Sequence, residues 1–347
     1  VKITRWNSLG AALVAASSLV AWSGSAESAA PVKLQGAGAS FPAPLYLKWF
    51  REHGALNKNV RIDYQSVGSG SGVKAVIDRT VDFGASDAAM KPEEMERVPG
   101  GVQLLPMTAG AIVLTFNVEG VTELKLTRKA YTDIFLGKIK TWNDPAIAGA
   151  NPGVKLPATP INVVVRADSS GTTFVFTQHL SAISPEFAKA PGTNTMPNWP
   201  AGTKSKGNEG VTASVKTTPG SIGYVEYGYA KSQKLPTALL ENKAGAFVAA
   251  TTASGQAGLA AAKIPDNLIA WVPDPEGKEA YPIVTYTWLI LYKQYQDKDK
   301  LEALQGVLKY ALGDGQKESE RLGYLPLPPA VAEKAKAALQ NVKLAGK

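Results

Sequence analysis

Cysteine is absent from the 347 residues, and histidine occurs only twice, at His53 and His179. Without thiols there is no disulfide, no thiolate nucleophile, no iron–sulfur cluster and no zinc site built on cysteine. Two histidines starve any His-rich metal centre and any His-dependent catalytic triad. No Gly-x-x-x-x-Gly-Lys-Ser/Thr loop occurs, which argues against nucleotide hydrolysis by this chain. Charge of neither sign dominates. The balance of 37 basic and 29 acidic residues, formally +8, mildly favours an anionic partner without identifying one. No basic stripe is interleaved with aromatics, so nucleic acid is a poor candidate. What is present suits a folded protein: 45% hydrophobic and 19% charged residues, with a length that predicts two domains. Its stability must come from packed cores rather than covalent staples.

The first thirty residues read as targeting rather than fold. Lys2 and Arg5 give a basic start, Leu9 to Trp22 is apolar and uncharged, and Gly24-Ser25-Ala26 supplies small residues for cleavage. This layout predicts a secretory signal peptide over residues 1–26, cut after Ala26. The apolar run falls short of the ~20 residues a spanning helix needs, and without cysteine there is no lipid-attachment site. An exported protein is therefore expected, most simply in a bacterial periplasm.

Beyond it, β-rich runs alternate with helical patterns. Strands are predicted at Val60–Gln65, Val81–Ala85, Gly110–Asn117, Asn162–Val165, Ile222–Tyr227 and Thr285–Tyr292, and helices at Gly72–Arg79 and Thr173–Leu180. Such alternation argues for an α/β fold with mostly parallel pairing. Leu301, Leu304, Val307, Leu308, Ala311 and Leu312 trace one face of a helix, and Val331, Ala335, Ala338, Leu339 and Val342 trace another. Both stripes are read as core. Pro200 to Gly207 reads as an exposed loop, and Ala249 to Ala262 is open between helix and surface insertion.

Three small-residue turns stand before helices: Gly36-Ala37-Gly38-Ala39-Ser40-Phe41-Pro42-Ala43-Pro44, Gly68-Ser69-Gly70-Ser71-Gly72 and Arg166-Ala167-Asp168-Ser169-Ser170-Gly171-Thr172-Thr173. A helix N-terminus offers unpaired N–H groups and a partial positive charge, so it favours oxyanions. One such turn is ordinarily just a tight turn. Three, with hydroxyls and an arginine, suggest an anion site at the carboxyl ends of strands. Two acidic residues sit oddly there. Asp87 reads either as a helix cap or as a carboxylate that selects an anion still carrying a proton, as phosphate does and sulfate does not. Asp168 reads either as a turn residue or as the group that orients Arg166 for bidentate contact.

These segments, with Val81-Asp82-Phe83-Gly84-Ala85-Ser86-Asp87, Gly137-Lys138-Ile139-Lys140-Thr141-Trp142 and Gly220-Ser221-Ile222-Gly223-Tyr224-Val225-Glu226-Tyr227, closely resemble the substrate-binding proteins of the bacterial high-affinity phosphate ABC transporter. The resemblance runs from about residue 34 to the C-terminal helix and is weakest near 240–280. It implies a type II periplasmic binding protein, two α/β domains joined by hinge strands near Met107–Ala111 and Ile283–Thr287. Lobe I would comprise 27–107 plus 287–347, and lobe II 108–286. Carried over motif by motif, the phosphate contacts would be Ser40, Phe41 through its N–H, Ser69 and Asp87 from the first lobe. Arg166, Ser170, Gly171 through its N–H and Thr172 would come from the second, with Asp168 holding Arg166. Ser40 stands where many relatives have Thr, and Ser71 and Ser169 where some have Gly; a positive φ there would be strained. The resemblance further implies no catalysis, no cofactor and no metal. It implies a monomer that docks on inner-membrane permease subunits driven by a cytoplasmic ATPase.

Other readings stay in view. A binding protein for sulfate, molybdate or another oxyanion keeps the class but leaves Asp87 without a proton to accept. An interaction module with a vestigial pocket is opposed by the intact set of hydroxyls, Asp87 and Arg166. Ser71-Gly72-Val73-Lys74 is a Ser-x-x-Lys sequence, as in serine acyl-enzymes, yet no Lys-Thr-Gly or Lys-Ser-Gly accompanies it.

Overall fold

The computed structural model describes residues 1–2 and 30–346. Residues 3–26 of the expected signal peptide, with its cleavage point at Ala26, therefore lie outside the described residues. Pro31–Lys347 is a compact unit of its own.

Among the described residues the main sheet has eight strands. In chain order they are β1 (Val32–Gly38), β2 (Val60–Ser66), β3 (Phe83–Ser86), β4 (Val102–Asn117), β5 (Asn162–Arg166), β6 (Thr203–Ser205), β7 (Ser221–Glu226) and β8 (Val284–Tyr292). Across the sheet they run β2-β1-β3-β8-β4-β7-β5-β6. The flanks are parallel: β1 with β2 and β3, β5 with β6 and β7. The centre is not. β8 lies antiparallel to both β3 and β4, and β4 antiparallel to β7. Mostly parallel pairing thus holds only for the flanks, because two long strands return through the middle.

Strand β4 joins the halves. Val102–Ala111 pairs with β8, and Ile112–Asn117 pairs with β7. Its interior residues, and all of β8, are buried. Such near-continuous apolar runs are what a strand covered on both faces requires. The result is a two-lobed α/β architecture with a parallel flank in each half. Within the shared stretch, Thr108 faces Thr287 and Ala111 faces Val284, with a register irregularity between Thr287 and Trp288.

The helices bury the predicted stripes. Helix α1 (Ala43–Leu56) opens after Pro42 and buries Tyr46, Trp49 and Phe50. Proline costs a helix start nothing, since its missing N–H would be unpaired there. The Trp49 indole N–H donates to the Gly315 carbonyl over 2.7 Å, so this ring ties the helix to the C-terminal region. Truncating it to alanine would cost about 3–5 kcal/mol. Helix α2 (Ser69–Ile77) starts three residues before the predicted Gly72. Glycine inside its first turn has a spatial cause: a Cβ on Gly72 would stand 2.6 Å from Gly38 Cα and 2.7 Å from the Ala85 carbonyl oxygen. Helix α3 (Gly171–Ile183) follows β5, and α4 (Gly207–Thr217) follows β6. The expected loop at 200–207 therefore contains an edge strand and the start of a helix. The Ala249–Ala262 segment resolves as helix α5 (Thr252–Leu259) and a following turn. Two amphipathic helices, Lys298–Ala311 and Pro329–Leu339, close the fold.

Candidate oxyanion-binding site

The carboxyl ends of β1, β3 and β5 deliver three short segments to one place. Ser40 and Phe41 follow β1 and lead into α1. Asp87 follows β3 directly, and Ser69 is the first residue of α2. From the other half, Arg166 ends β5, Ser170 caps α3, and Gly171 and Thr172 form its first turn. All eight are buried, the six charged or hydroxyl-bearing residues Ser40, Ser69, Asp87, Arg166, Ser170 and Thr172 to 3% exposure or less. Asp87 caps no helix; its backbone N–H donates to Ser69 Oγ over 3.2 Å.

Contacts cross between the halves. The Gly70 N–H donates to the Ser169 carbonyl over 3.0 Å, and Ser66 Oγ to Glu209 Oε1 over 3.2 Å. A Cβ on Gly171 would meet Ser69 Oγ at 2.5 Å and Asp87 Oδ2 at 2.6 Å. The two halves are closed on each other at this point. No backbone carbonyl among the described residues accepts from the N–H groups of Phe41, Gly171 or Thr172. For Gly171 and Thr172 this is the ordinary state of a helix's first turn. Ser170 Oγ accepts from the Thr173 N–H over 3.0 Å, which leaves its own hydrogen to donate.

The electrostatics are asymmetric. Arg166 Nε donates to Asp168 Oδ1 over 2.9 Å and Nη2 to Oδ2 over 2.5 Å; the guanidinium is 1% exposed. Nη1 faces Thr172 Oγ1 at 3.4 Å. A guanidinium carries five N–H groups, so two remain for a guest. Burial pushes the Asp168 carboxyl up, but the bonds and charge of Arg166, with the Gly207 N–H, outweigh it and hold the group below its ordinary value. Asp87 goes the other way. Burial pushes its carboxyl up to about 7, against the pull of the Thr287 hydroxyl, 2.8 Å from Oδ1, and of the Arg166 charge. One ionised carboxylate thus clamps the cation while another holds its proton into the neutral range. Hydroxyls, backbone amides and one guanidinium around a carboxyl able to share a proton suit a small protonated oxyanion.

The features left over are accounted for. Neither Ser71 nor Ser169 has a positive φ, so serine there is unstrained; Ser169 Oγ donates to Thr195 Oγ1 over 2.9 Å. Ser71 and Lys74 are exposed, and Lys74 pairs with Asp78 rather than with Ser71. His179 is buried between the Tyr131 hydroxyl at 2.8 Å and the Pro273 carbonyl at 2.7 Å. Among the described residues, no group of three or more His, Asp or Glu gathers as metal ligands would.

Sequence reasoning missed Asn208. It is fully buried in the first turn of α4, with its side-chain nitrogen 2.8 Å from Ser40 Oγ and 3.0 Å from Thr172 Oγ1. The available signal was helical: Val211 and Val215, four apart, followed the supposed loop.

The chain is similar to known proteins over most of its length. Residues 24–314 match the model of the PBP superfamily domain. The chain is 39% identical over 319 residues to the phosphate-binding protein PstS of Xylella fastidiosa (strain 9a5c), covering 90% of this chain and 86% of that one. It is 41% identical over 310 residues to the phosphate-binding protein PstS of Pasteurella multocida, covering 88% and 89%. Its fold matches the solved structure of PfluDING, described as a high-affinity periplasmic phosphate-binding protein bound with phosphate. That match has a TM-score of 0.72 at 22% identity and covers 88% of this chain and 93% of the other.

Proposed function

The chain belongs to the PBP superfamily and, within it, to the PstS phosphate-binding proteins, and from that premise we propose that it captures inorganic phosphate between its two lobes. Lobe I is 27–107 with 287–347, lobe II is 108–286, and the paired segments Met107–Ala111 and Ile283–Thr287 bend as lobes open and close. Ser40, Phe41, Ser69 and Asp87 meet the anion from one side; Arg166, Ser170, Gly171 and Thr172 meet it from the other. Neither lobe alone supplies enough donors, so the ligand stabilises the closed form.

A single observation carries the reading. A buried guanidinium already clamped by Asp168 shares its chamber with Asp87, whose carboxyl is held near neutrality by burial. An anion with one P–OH group can share that proton with Asp87 and still offer unprotonated oxygens to every donor. Once Asp87 is ionised, above about pH 7, a fully ionised tetrahedral anion leaves it facing an oxygen with no proton between them.

Delivery follows from the same premise. The protein is exported through its signal peptide to the periplasm and acts there as a monomer without catalysis. When closed it hands phosphate to the inner-membrane permease of an ABC importer powered by a cytoplasmic ATPase. Titration calorimetry with phosphate and sulfate tests the binding step. Above about pH 7, where Asp87 is ionised, tight phosphate binding with sulfate at least ~100-fold weaker is expected, which corresponds to about 2.7 kcal/mol. Equal affinity for the two anions overturns the role of Asp87, and no phosphate binding overturns the reading.

A further inference from the structure

We infer that Asn208 is a positioning residue that turns the Ser40 and Thr172 hydroxyls into donors toward the anion, an inference that rests on the phosphate reading above. Chemistry fixes the orientation of its amide. Asn208 Oδ1 lies 2.8 Å from the Glu226 backbone nitrogen, which can only donate, so the other end of the amide is the NH2. That nitrogen directs one hydrogen to Ser40 Oγ at 2.8 Å and the other to Thr172 Oγ1 at 3.0 Å. Ser40 Oγ also accepts from the Asn208 backbone N–H over 3.0 Å.

A hydroxyl has two acceptor sites and one hydrogen. Both acceptor sites of Ser40 are filled by Asn208 alone. Those of Thr172 are filled by Asn208 and, at a longer 3.4 Å, by Arg166 Nη1. Each O–H is therefore left with nothing to do but donate. Opposite an unprotonated phosphate oxygen this is the complementary arrangement; a freely rotating hydroxyl would present a lone pair part of the time. Asn208 itself has both hydrogens and its carbonyl oxygen engaged, so it acts through the two hydroxyls and touches no ligand. Ser40 follows β1 and Thr172 opens α3, on opposite sides of the cleft, so one amide sets both hydroxyls only when the lobes meet.

A double-mutant cycle read by phosphate calorimetry tests this in the full mature protein, with the melting temperature of the ligand-free form as a folding control. Asn208→Ala is expected to weaken phosphate binding about tenfold in the wild-type background. In a Thr172→Val background, where one of the two oriented hydroxyls is already gone, the same change should weaken it only about threefold. Asn208→Asp keeps the shape but replaces the NH2 by an acceptor, so both hydroxyls turn toward it and binding falls below that of Asn208→Ala. A residue that merely fills space would give equal factors in both backgrounds, and Asp would be milder than Ala; either result overturns the proposal. Should Asn208→Ala fail to fold, Asn208→Asp with Thr172→Val completes the cycle under the same criterion. Wild-type protein that ignores phosphate is a different outcome, which removes the functional reading itself.

Discussion

Gly171 and Asp87 touch across the cleft: a Cβ built on Gly171 would stand 2.6 Å from Asp87 Oδ2 and 2.7 Å from Asp87 Cβ. The glycine is needed for room, since its backbone adopts no positive φ. Each lobe can fold around an alanine at this position, because the clash exists only when the lobes meet. Gly171→Ala should therefore leave the ligand-free melting temperature nearly unchanged. Overpacking costs about 1–3 kcal/mol, so phosphate affinity should fall roughly 5- to 150-fold. Small-angle scattering should show less compaction on adding phosphate than in the wild type. Unaltered affinity in calorimetry would mean that the contact is not part of the bound state.

Arg166 depends on Asp168 for its direction. Arg166→Ala should weaken phosphate binding by about 2–5 kcal/mol, the range for truncating one partner of a buried charge pair. Arg166→Lys keeps the charge but not the planar fork, and should recover only part of that loss. Asp168→Asn keeps the shape while removing the charge that clamps Nε and Nη2. Its loss should be smaller than that of Arg166→Ala, and absent in an Arg166→Ala background. Calorimetry on the four proteins decides; independent losses would separate the two residues.

How much of this was readable before the fold depends on sequence distance. Arg166 and Asp168 are two residues apart, so their pairing followed from local spacing, as did the buried faces of the helices. The pairing of Thr287 with Asp87 spans 200 residues, and that of Asn208 with Ser40 spans 168; nothing local encodes either. The antiparallel centre was hidden for a related reason. A buried strand shows the same apolar run whichever way its neighbours point, so the directions of β4 and β8 are set by topology alone. Helix α4 was missed because Gly, Ser and Lys before it masked a short amphipathic stripe.

Sulfate selectivity should respond to Asp87 without any change in the fold. Asn at this position can donate as well as accept, so above about pH 7, where Asp87 itself is ionised, a fully ionised tetrahedral anion no longer meets a carboxylate that has no proton to share with it. Asp87→Asn should thus narrow the phosphate-to-sulfate affinity ratio by at least about tenfold, a change of ~1.4 kcal/mol. Competition titrations measure the ratio directly, and an unchanged ratio would assign selectivity elsewhere.

The same carboxyl makes a prediction about the stability of the closed arrangement, in which it is buried. Burial raises Asp87 to about 7, whereas an unfolded aspartate titrates near ~3.9. Below that lower value both states are protonated, and the group's contribution is fully present. As pH rises toward 7 the unfolded chain releases its proton while the folded one keeps it, so stability falls. Above 7 both are ionised, and the penalty stays constant at up to on the order of 4 kcal/mol. Asp87→Asn carries no such slope. The melting temperature of the variant minus that of the wild type should therefore climb between about pH 4 and pH 7 and then level off. Thr287→Val, which removes the hydroxyl donated to Oδ1, should carry the climb to still higher pH. Parallel melting curves for wild type and Asp87→Asn across that window would mean that the carboxyl ionises freely, and its burial-raised proton affinity would not hold in solution.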